Sequence, residues 1–245
     1  MKTEASDYFE IWGLPRDTRF RRRMIYIRYL LLQAFVVSHG YSLRTLGNVQ
    51  TGCSWIFCPD GLGSESIIYS GGVGNDISFE HSLVKEFGCT VNLFDPSPTG
   101  IATMKRLENT NPQLKFLPVG LAGQPCTLRL VPPLSSEEGS WFMHEVKGSF
   151  EAPCLDLGSL MKQNHHSFVD LVKLDIEGSE YGVIENILDA RIPVRQILVE
   201  FHHGLLPGIR LSQSLRAGLR LLSRDYMLIS IFGTTYSFIR RNWPP

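Results

Sequence analysis

The chain has 245 residues, 43% of them hydrophobic and 20% charged, with 24 basic and 24 acidic side chains. That length fills one large domain, or a domain with an appendage, and the apolar share is enough for a sizeable core. Zero formal net charge leaves no global field to draw the protein to nucleic acid or to an anionic membrane. Five scattered cysteines read as free thiols in a reducing compartment, not as a disulfide framework or a zinc site.

Residues 1–15, MKTEASDYFEIWGLP, are acidic and aromatic and lack the basic-then-apolar order of a signal peptide. The most apolar early stretch, MIYIRYLLLQAFVV (24–37), carries Arg28 and Gln33 and falls short of the about 20 residues that cross a bilayer. It reads as a buried or amphipathic helix, and the expectation is a soluble, cytoplasmic protein. Residues 1–50 as a whole read as helical, broken at Gly13-Leu14-Pro15. The basic run RDTRFRRR (16–23) is either a solvated helix start or a patch for an acidic partner. GNVQTGCSWIFCPDGLGSE (47–65) is rich in glycine and turn formers and is predicted as a linker. The expected organisation is a helical N-terminal extension over 1–60, acting as a lid or a dimer surface, and an α/β domain over 61–245.

From residue 66 short apolar runs alternate with helical stretches. SIIYS (66–70), TVNLFDP (90–96), KFLPVGLA (115–122), FVDLVKLDIEG (168–178) and RQILVEFHH (195–203) hold strands. Residues 76–87, TGIATMKRLENTN (99–111), SEYGVIENILDA (179–190) and SQSLRAGLRLLSRD (212–225) read as helices. Strands separated by helices of about a dozen residues imply right-handed βαβ units and a mostly parallel sheet. YMLISIFG (226–233) and TYSFIRR (235–241) leave no room for a crossover helix and must form an antiparallel hairpin. The segment 131–150, VPPLSSEEGSWFMHEVKGSF, is long and irregular, as lids often are. Trp141, Phe142 and His144 in it either line an acceptor pocket or pack on their own domain.

In a doubly wound sheet, ligands bind beyond the carboxyl ends of the strands, and four such ends carry chemistry. In YSGGVGNDISFE (69–80), Gly71, Gly72 and Gly74 let the backbone turn sharply with no Cβ in the way. A phosphate would want the free N–H groups of the following helix start, yet Asn75-Asp76 stands there. Asp76 would cap that helix and repel a pyrophosphate. It would tolerate a ligand bearing a sulfonium and an ammonium, as S-adenosylmethionine does. Asp95, about twenty residues on, is placed to accept ribose hydroxyls. Asp175 and Glu177 in LVKLDIEGSE (171–180) point the same way. They can bind a cofactor cation, hold a metal or take a proton from a hydroxyl. Glu200 and His202 in LVEFHH (198–203) share a face. With Asp175 and Glu177 they could hold a divalent metal, or His202 could act as general base. His203 points to the other face, and His165-His166 reads as a solvated pair.

VDLVKLDIEGSEYGVIENIL (169–188) resembles the signature segment of FkbM-type methyltransferases, and YSGGVGNDISFE with VNLFDPSP (91–98) resembles the cofactor-binding segments of the same group. A parallel sheet ending in a hairpin is also the plan of class I methyltransferases. The resemblance covers roughly 66–204. It implies an α/β, Rossmann-like class I methyltransferase fold, with a mostly parallel seven-stranded sheet, and S-adenosylmethionine-dependent methyl transfer. In that family transfer is usually to oxygen, on a sugar, a natural product or a small carboxylic acid. By position, Gly72 and Gly74 belong to the cofactor turn, Asp95 with Pro96 and Ser97 to the ribose segment, and Asp175 and Glu177 to the floor of the site. Many members carry Asp where this chain has Ser70, Asn where it has Gly74, and Gly where it has Asp76. Asp76 or Glu80 would then meet the cofactor's ammonium. The expected base is His202 or Asp175. A divalent metal at Asp175, Glu177, Glu200 and His202 is the alternative. The expected partner is a small-molecule acceptor, and the expected state a monomer or homodimer. Three rivals stand beside this reading: an NAD-dependent oxidoreductase, a methyltransferase acting on a peptide or protein, and a catalytically decayed binding protein.

Overall fold

Strands covered by helices on both sides must be apolar on both faces, and the run VDLVKL is buried at every position. The computed structural model describes residues 27, 31–37, 39–131, 141–143, 150–203 and 210–243. Its first two strands, β1 (Arg44–Asn48) and β2 (Cys53–Phe57), form an antiparallel hairpin. There follow β3 (Ile67–Gly71), α1 (Ser78–Phe87), β4 (Thr90–Phe94), α2 (Pro98–Met104) and β5 (Leu114–Leu117). Next come β6 (Gly120–Leu121), β7 (Cys126–Val131), β8 (Phe142–Met143), β9 (Phe150–Leu155) and α3 (Leu157–Gln163). The chain ends with β10 (Val169–Leu174), α4 (Glu180–Asp189), β11 (Val194–Glu200), α5 (Leu211–Leu222), β12 (Tyr226–Phe232) and β13 (Thr235–Arg240).

The central sheet has seven strands in the order β12-β13-β11-β10-β3-β4-β5. The pairs from β11 to β5 are parallel, and β13 runs antiparallel to both neighbours. This is the Rossmann-like plan expected from the sequence, closing hairpin included. Strand order reverses beside β3: the chain moves outward to β4 and β5, then returns to lay β10 on the other side of β3. Such a reversal opens a crevice at the strand ends, and the candidate residues collect there. The core follows the two faces of the sheet. Tyr69, Val172, Leu174, Ile197 and Val199 pack on one side, and Ile68, Leu171 and Leu198 on the other.

The helical character expected of residues 1–50 does not reach residues 44–57. These form the β1–β2 hairpin, which replaces both the end of that helix and part of the predicted linker. The cause is tertiary packing. Trp55 and Phe57 are buried against Phe79 of α1, with ring centroids 6.3 and 5.9 Å away. Truncating a core aromatic of this kind costs about 3–5 kcal/mol, more than helix propensity supplies. The basic run 16–23 and His144 lie outside the described residues. KFLPVGLA is two strands instead of one. Pro118 has no N–H for a ladder, so β5 stops at Leu117 and β6 joins a second sheet, ordered β6-β9-β7-β8. That sheet frames the segment read as irregular. No helix among the described residues is long and apolar enough to cross a membrane.

Candidate active site

The site is built where β3 and β10 end side by side, with Gly71 paired to Leu174. Beyond that pair the two backbones come very close: a Cβ on Gly72, whose φ is +86°, would lie 1.9 Å from the Asp175 carbonyl oxygen. Only glycine fits. The turn that follows is held by acids. The Asp95 Oδ2 accepts from the Val73 and Gly74 N–H groups at 2.9 and 3.1 Å, and its Oδ1 accepts from Ser97 N at 2.8 Å. Asp76 Oδ1 accepts from Ser78 N at 2.6 Å, and its Oδ2 accepts from the Thr51 hydroxyl. Burial pushes the Asp76 carboxyl up, but the Thr51 and Ser78 hydrogen bonds outweigh it and hold the group below its ordinary value. The outer side of the turn is open, since a Cβ on Gly74 would meet nothing within 4 Å.

Beneath the turn lies a buried ion pair. The Lys173 ammonium donates to the Gly72 carbonyl at 2.7 Å, sits 3.5 Å from Glu80 Oε1 and lies 5.6 Å from the Trp55 ring centroid. Burial lowers the Lys173 pKa, but the charges of Glu80 and Asp175 outweigh it and leave the group raised. Glu80 also accepts from the Ser70 hydroxyl and is 1% exposed. It therefore faces the underside of the turn, committed to Ser70 and Lys173. The sequence showed Lys173 in step with Asp175, but nothing marked Glu80 as its partner.

Above the turn, Asp175, Glu177, Glu180, Glu200 and His202 converge. Glu180, in the first turn of α4, is wholly buried. It accepts from Gly178 N at 2.8 Å, and its Oε1 lies 3.3 Å from His202 N and 3.1 Å from His202 Nδ1. This fixes the ring, so that Nε2 faces Glu177 Oε2 at 3.3 Å and Asp175 Oδ1 at 3.7 Å. Burial pulls the His202 pKa down, but the charges of Glu177, Glu180 and Asp175 together hold it well above its ordinary value. An imidazolium donates hydrogen bonds and has no lone pair to accept a proton. Glu200 stands at the end of β11, its Oε1 accepting from the Thr234 hydroxyl at 2.6 Å. Burial and the charge of Asp175 push its carboxyl up to about 7, against the opposing pull of His202.

Asp175, Glu200 and His202 each present a ligand atom within 4.8 Å of the others. A metal ligand must be the neutral imidazole, whereas His202 sits among carboxylates that keep its proton. A divalent ion would bind there only by displacing that proton, and these residues are not assigned as metal ligands. Elsewhere, Ser97 caps α2 by accepting from Gly100 N at 3.0 Å, with Pro98 in the first helical turn. Pro96 stands between Asp95 and that cap. Trp141 Nε1 donates to Thr99 Oγ1 at 2.9 Å, tying the second sheet's insertion to the start of α2. His203 is buried on Ser214, 2.8 Å away. His166, expected to be solvated, instead has its Nδ1 2.9 Å from the Tyr69 hydroxyl, because the turn before β10 folds back onto the sheet.

A mostly parallel sheet closed by a reversed hairpin, with a glycine turn whose amides are bound by acids, defines a class I methyltransferase fold. The family model for the Methyltransferase FkbM domain matches residues 66–226, more than half of the chain, and the protein belongs to that family of S-adenosylmethionine-dependent methyltransferases. No curated protein matches the sequence. Among solved structures, an rRNA methylase from Streptococcus thermophilus is 13% identical with a TM-score of 0.41, over 74% of this chain and 90% of that one. SMU.1697c, a putative methyltransferase from Streptococcus mutans in complex with SAH, is 11% identical with a TM-score of 0.38, over 72% and 88%. A methyltransferase from Pyrococcus furiosus is 13% identical with a TM-score of 0.37, over 90% and 97%. At these scores the likenesses add nothing to the topology already described.

Proposed function

We propose that the protein methylates an oxygen of a small-molecule hydroxyl or carboxyl, such as a sugar or natural product, with S-adenosylmethionine as donor. One observation carries the choice of cofactor. The Val73 and Gly74 N–H groups of the glycine turn are taken by Asp95, and the Ser78 N–H at the helix start by Asp76, so a pyrophosphate would meet two carboxylates beside the turn where it needs donors. The same acids suit a cofactor that is cationic at sulfur and nitrogen. The residues that would hold it are the Gly72–Gly74 turn, Asp76, the Asp95-Pro96-Ser97 segment and Asp175. Bound there, the cofactor supplies an electrophilic methyl on a good leaving group, so much of the rate can come from positioning.

The chain's own residues have a narrower task. Asp95 holds the turn in shape, Lys173 neutralises the acid beneath it, and Glu180 sets the His202 ring. A partly buried carboxylate group above the turn suits an oxygen acceptor, whose proton must leave as the new bond forms. The test is calorimetric titration of the full chain with S-adenosylmethionine, S-adenosylhomocysteine and NAD. Micromolar binding of the two sulfur nucleosides without NAD supports the reading. NAD binding alone would favour the oxidoreductase and sink it. The acceptor class is then sought by radiolabelled methyl transfer to sugars, hydroxy acids, phenols and peptides. Label on peptide alone would move the assignment to a protein methyltransferase.

A further inference from the structure

His202 and Asp175 were the sequence's candidates for the base. We propose that Glu200 is the catalytic residue that takes the acceptor's hydroxyl proton, with Glu180 and His202 as positioning residues; the inference rests on the methyl-transfer reading above. Glu200 closes β11, one strand beyond β10 and its Asp175. Its Oε1 is fixed by the Thr234 hydroxyl from the β12–β13 turn at 2.6 Å. Among the described residues, Oε2 makes no hydrogen bond and Glu200 forms no ion pair.

The neighbouring groups are committed elsewhere. His202 gives Nδ1 to Glu180 and turns Nε2 toward Glu177 and Asp175. Glu180 is wholly buried on His202 and Gly178. Lys173, beneath, is paired with Glu80. The groups facing Glu200 are thus Asp175 and Glu177 from the β10 end, His202 from the β11 end and Thr234. Burial first, and then the acids among them, raise its affinity for a proton, and the carboxyl is pushed up to about 7. That is where a general base both ionises in part at neutral pH and binds a proton usefully. His202, as a cation close by, stabilises negative charge developing on the acceptor oxygen. In the balanced step the acceptor oxygen bonds to the methyl carbon. The carbon–sulfur bond breaks with its electron pair left on sulfur, and the hydroxyl proton passes to the Glu200 carboxylate.

The test uses the full chain, labelled with carboxyl-13C glutamate, and its Glu200→Gln variant. The carboxyl resonance missing from the variant should titrate near 7 in the unaltered protein; titration in the ordinary carboxylate range would overturn the proposal. Affinity for S-adenosylhomocysteine, measured by calorimetry, should stay within about threefold in Glu200→Gln. Its kcat on the hydroxyl acceptor found above should fall by about 100-fold or more, with Glu200→Asp recovering part. Unchanged turnover would overturn the proposal. So would wild-type activity lost to chelator and restored by magnesium. A second variant, Thr234→Val, removes the hydroxyl that favours the ionised form. It should shift the acid limb of the kcat–pH profile upward while leaving the plateau, and an unmoved limb would count against Glu200. If the unaltered protein binds no sulfur nucleoside, the methyl-transfer reading fails in its own assay, apart from any comparison of variants.

Discussion

Replacing Glu200 by Gln should make the protein more stable, but only at neutral and alkaline pH. A carboxyl moved from its ordinary 4.5 to about 7 resists ionisation in the folded state by roughly 3 kcal/mol, at 1.36 kcal/mol per unit. The sign follows from linkage. The folded pKa lies above the unfolded one, so the unfolded chain ionises first as pH rises. Folded stability therefore falls from about pH 4.5 to about pH 7 and stays low above that. Gln removes this cost and keeps a weaker acceptor for the Thr234 hydroxyl, whose loss of charge takes back about 1 kcal/mol. The net gain is about 2 kcal/mol at pH 8.5, or roughly 4–8 °C in Tm for a chain of this size. Calorimetric unfolding of both proteins at pH 5, 7 and 8.5 measures it. The two curves should nearly coincide at pH 5 and separate on the alkaline side. A gap that ignored pH, or a variant weaker at pH 8.5, would refute the assignment of a strained, partly protonated carboxyl.

Three further outcomes follow from the same geometry. Lys173→Met leaves Glu80 buried without its counter-ion and should cost about 3–5 kcal/mol in denaturant unfolding, while adding Glu80→Gln should recover a large part of it. Gly72→Ala forces a methyl onto the Asp175 carbonyl in a left-handed backbone; a loss of about 3 kcal/mol or more and abolished S-adenosylhomocysteine binding are expected, and a stable, binding-competent variant would contradict the close approach. His202→Gln should weaken the fold most at pH 6 and below. His202 has a raised folded pKa, so its contribution is complete below the unfolded value and fades as pH climbs through the folded one. A stability gap that widened with alkali would reverse the charge assignment.

The order of the seven central-sheet strands and of α1, α2, α4 and α5 was legible because each depends on local pattern: buried β-branched runs, helical spacing, and a gap too short for a crossover; the second sheet β6-β9-β7-β8 and α3 were not legible. Asp95 and the Gly72 turn were legible for a similar reason, since glycine and acid mark a backbone constraint directly. The hairpin at 44–57 was not, because Trp55 and Phe57 hold it through contacts with α1 that no local window contains. The roles of the acids were also hidden. Asp175, Glu177, Glu200 and His202 could be placed near two strand ends, but β10 stops at Leu174 and β11 at Glu200, and Glu177 is aimed by a left-handed turn instead of by period-two alternation. Their protonation states depend on Glu180, which reaches His202 from another element, and on burial. The same holds for Glu80, an unremarkable helix residue until β10 brings Lys173 beneath the glycine turn.

The β1–β2 hairpin separates two boundaries that are easily confused. The family match begins at residue 66 and ends at 226, and inherited sequence defines that span. Trp55 on β2 roofs the Lys173–Glu80 pair, and Thr51 in the hairpin loop holds Asp76. At the other margin, β13 fills the place between β11 and β12. A chain trimmed to the recognisable span would admit water to a buried ion pair and leave an open sheet edge. The span that matches the family is therefore smaller than the unit that holds the site together, and a change in the flanking hairpin reaches the glycine turn through Trp55 and Thr51.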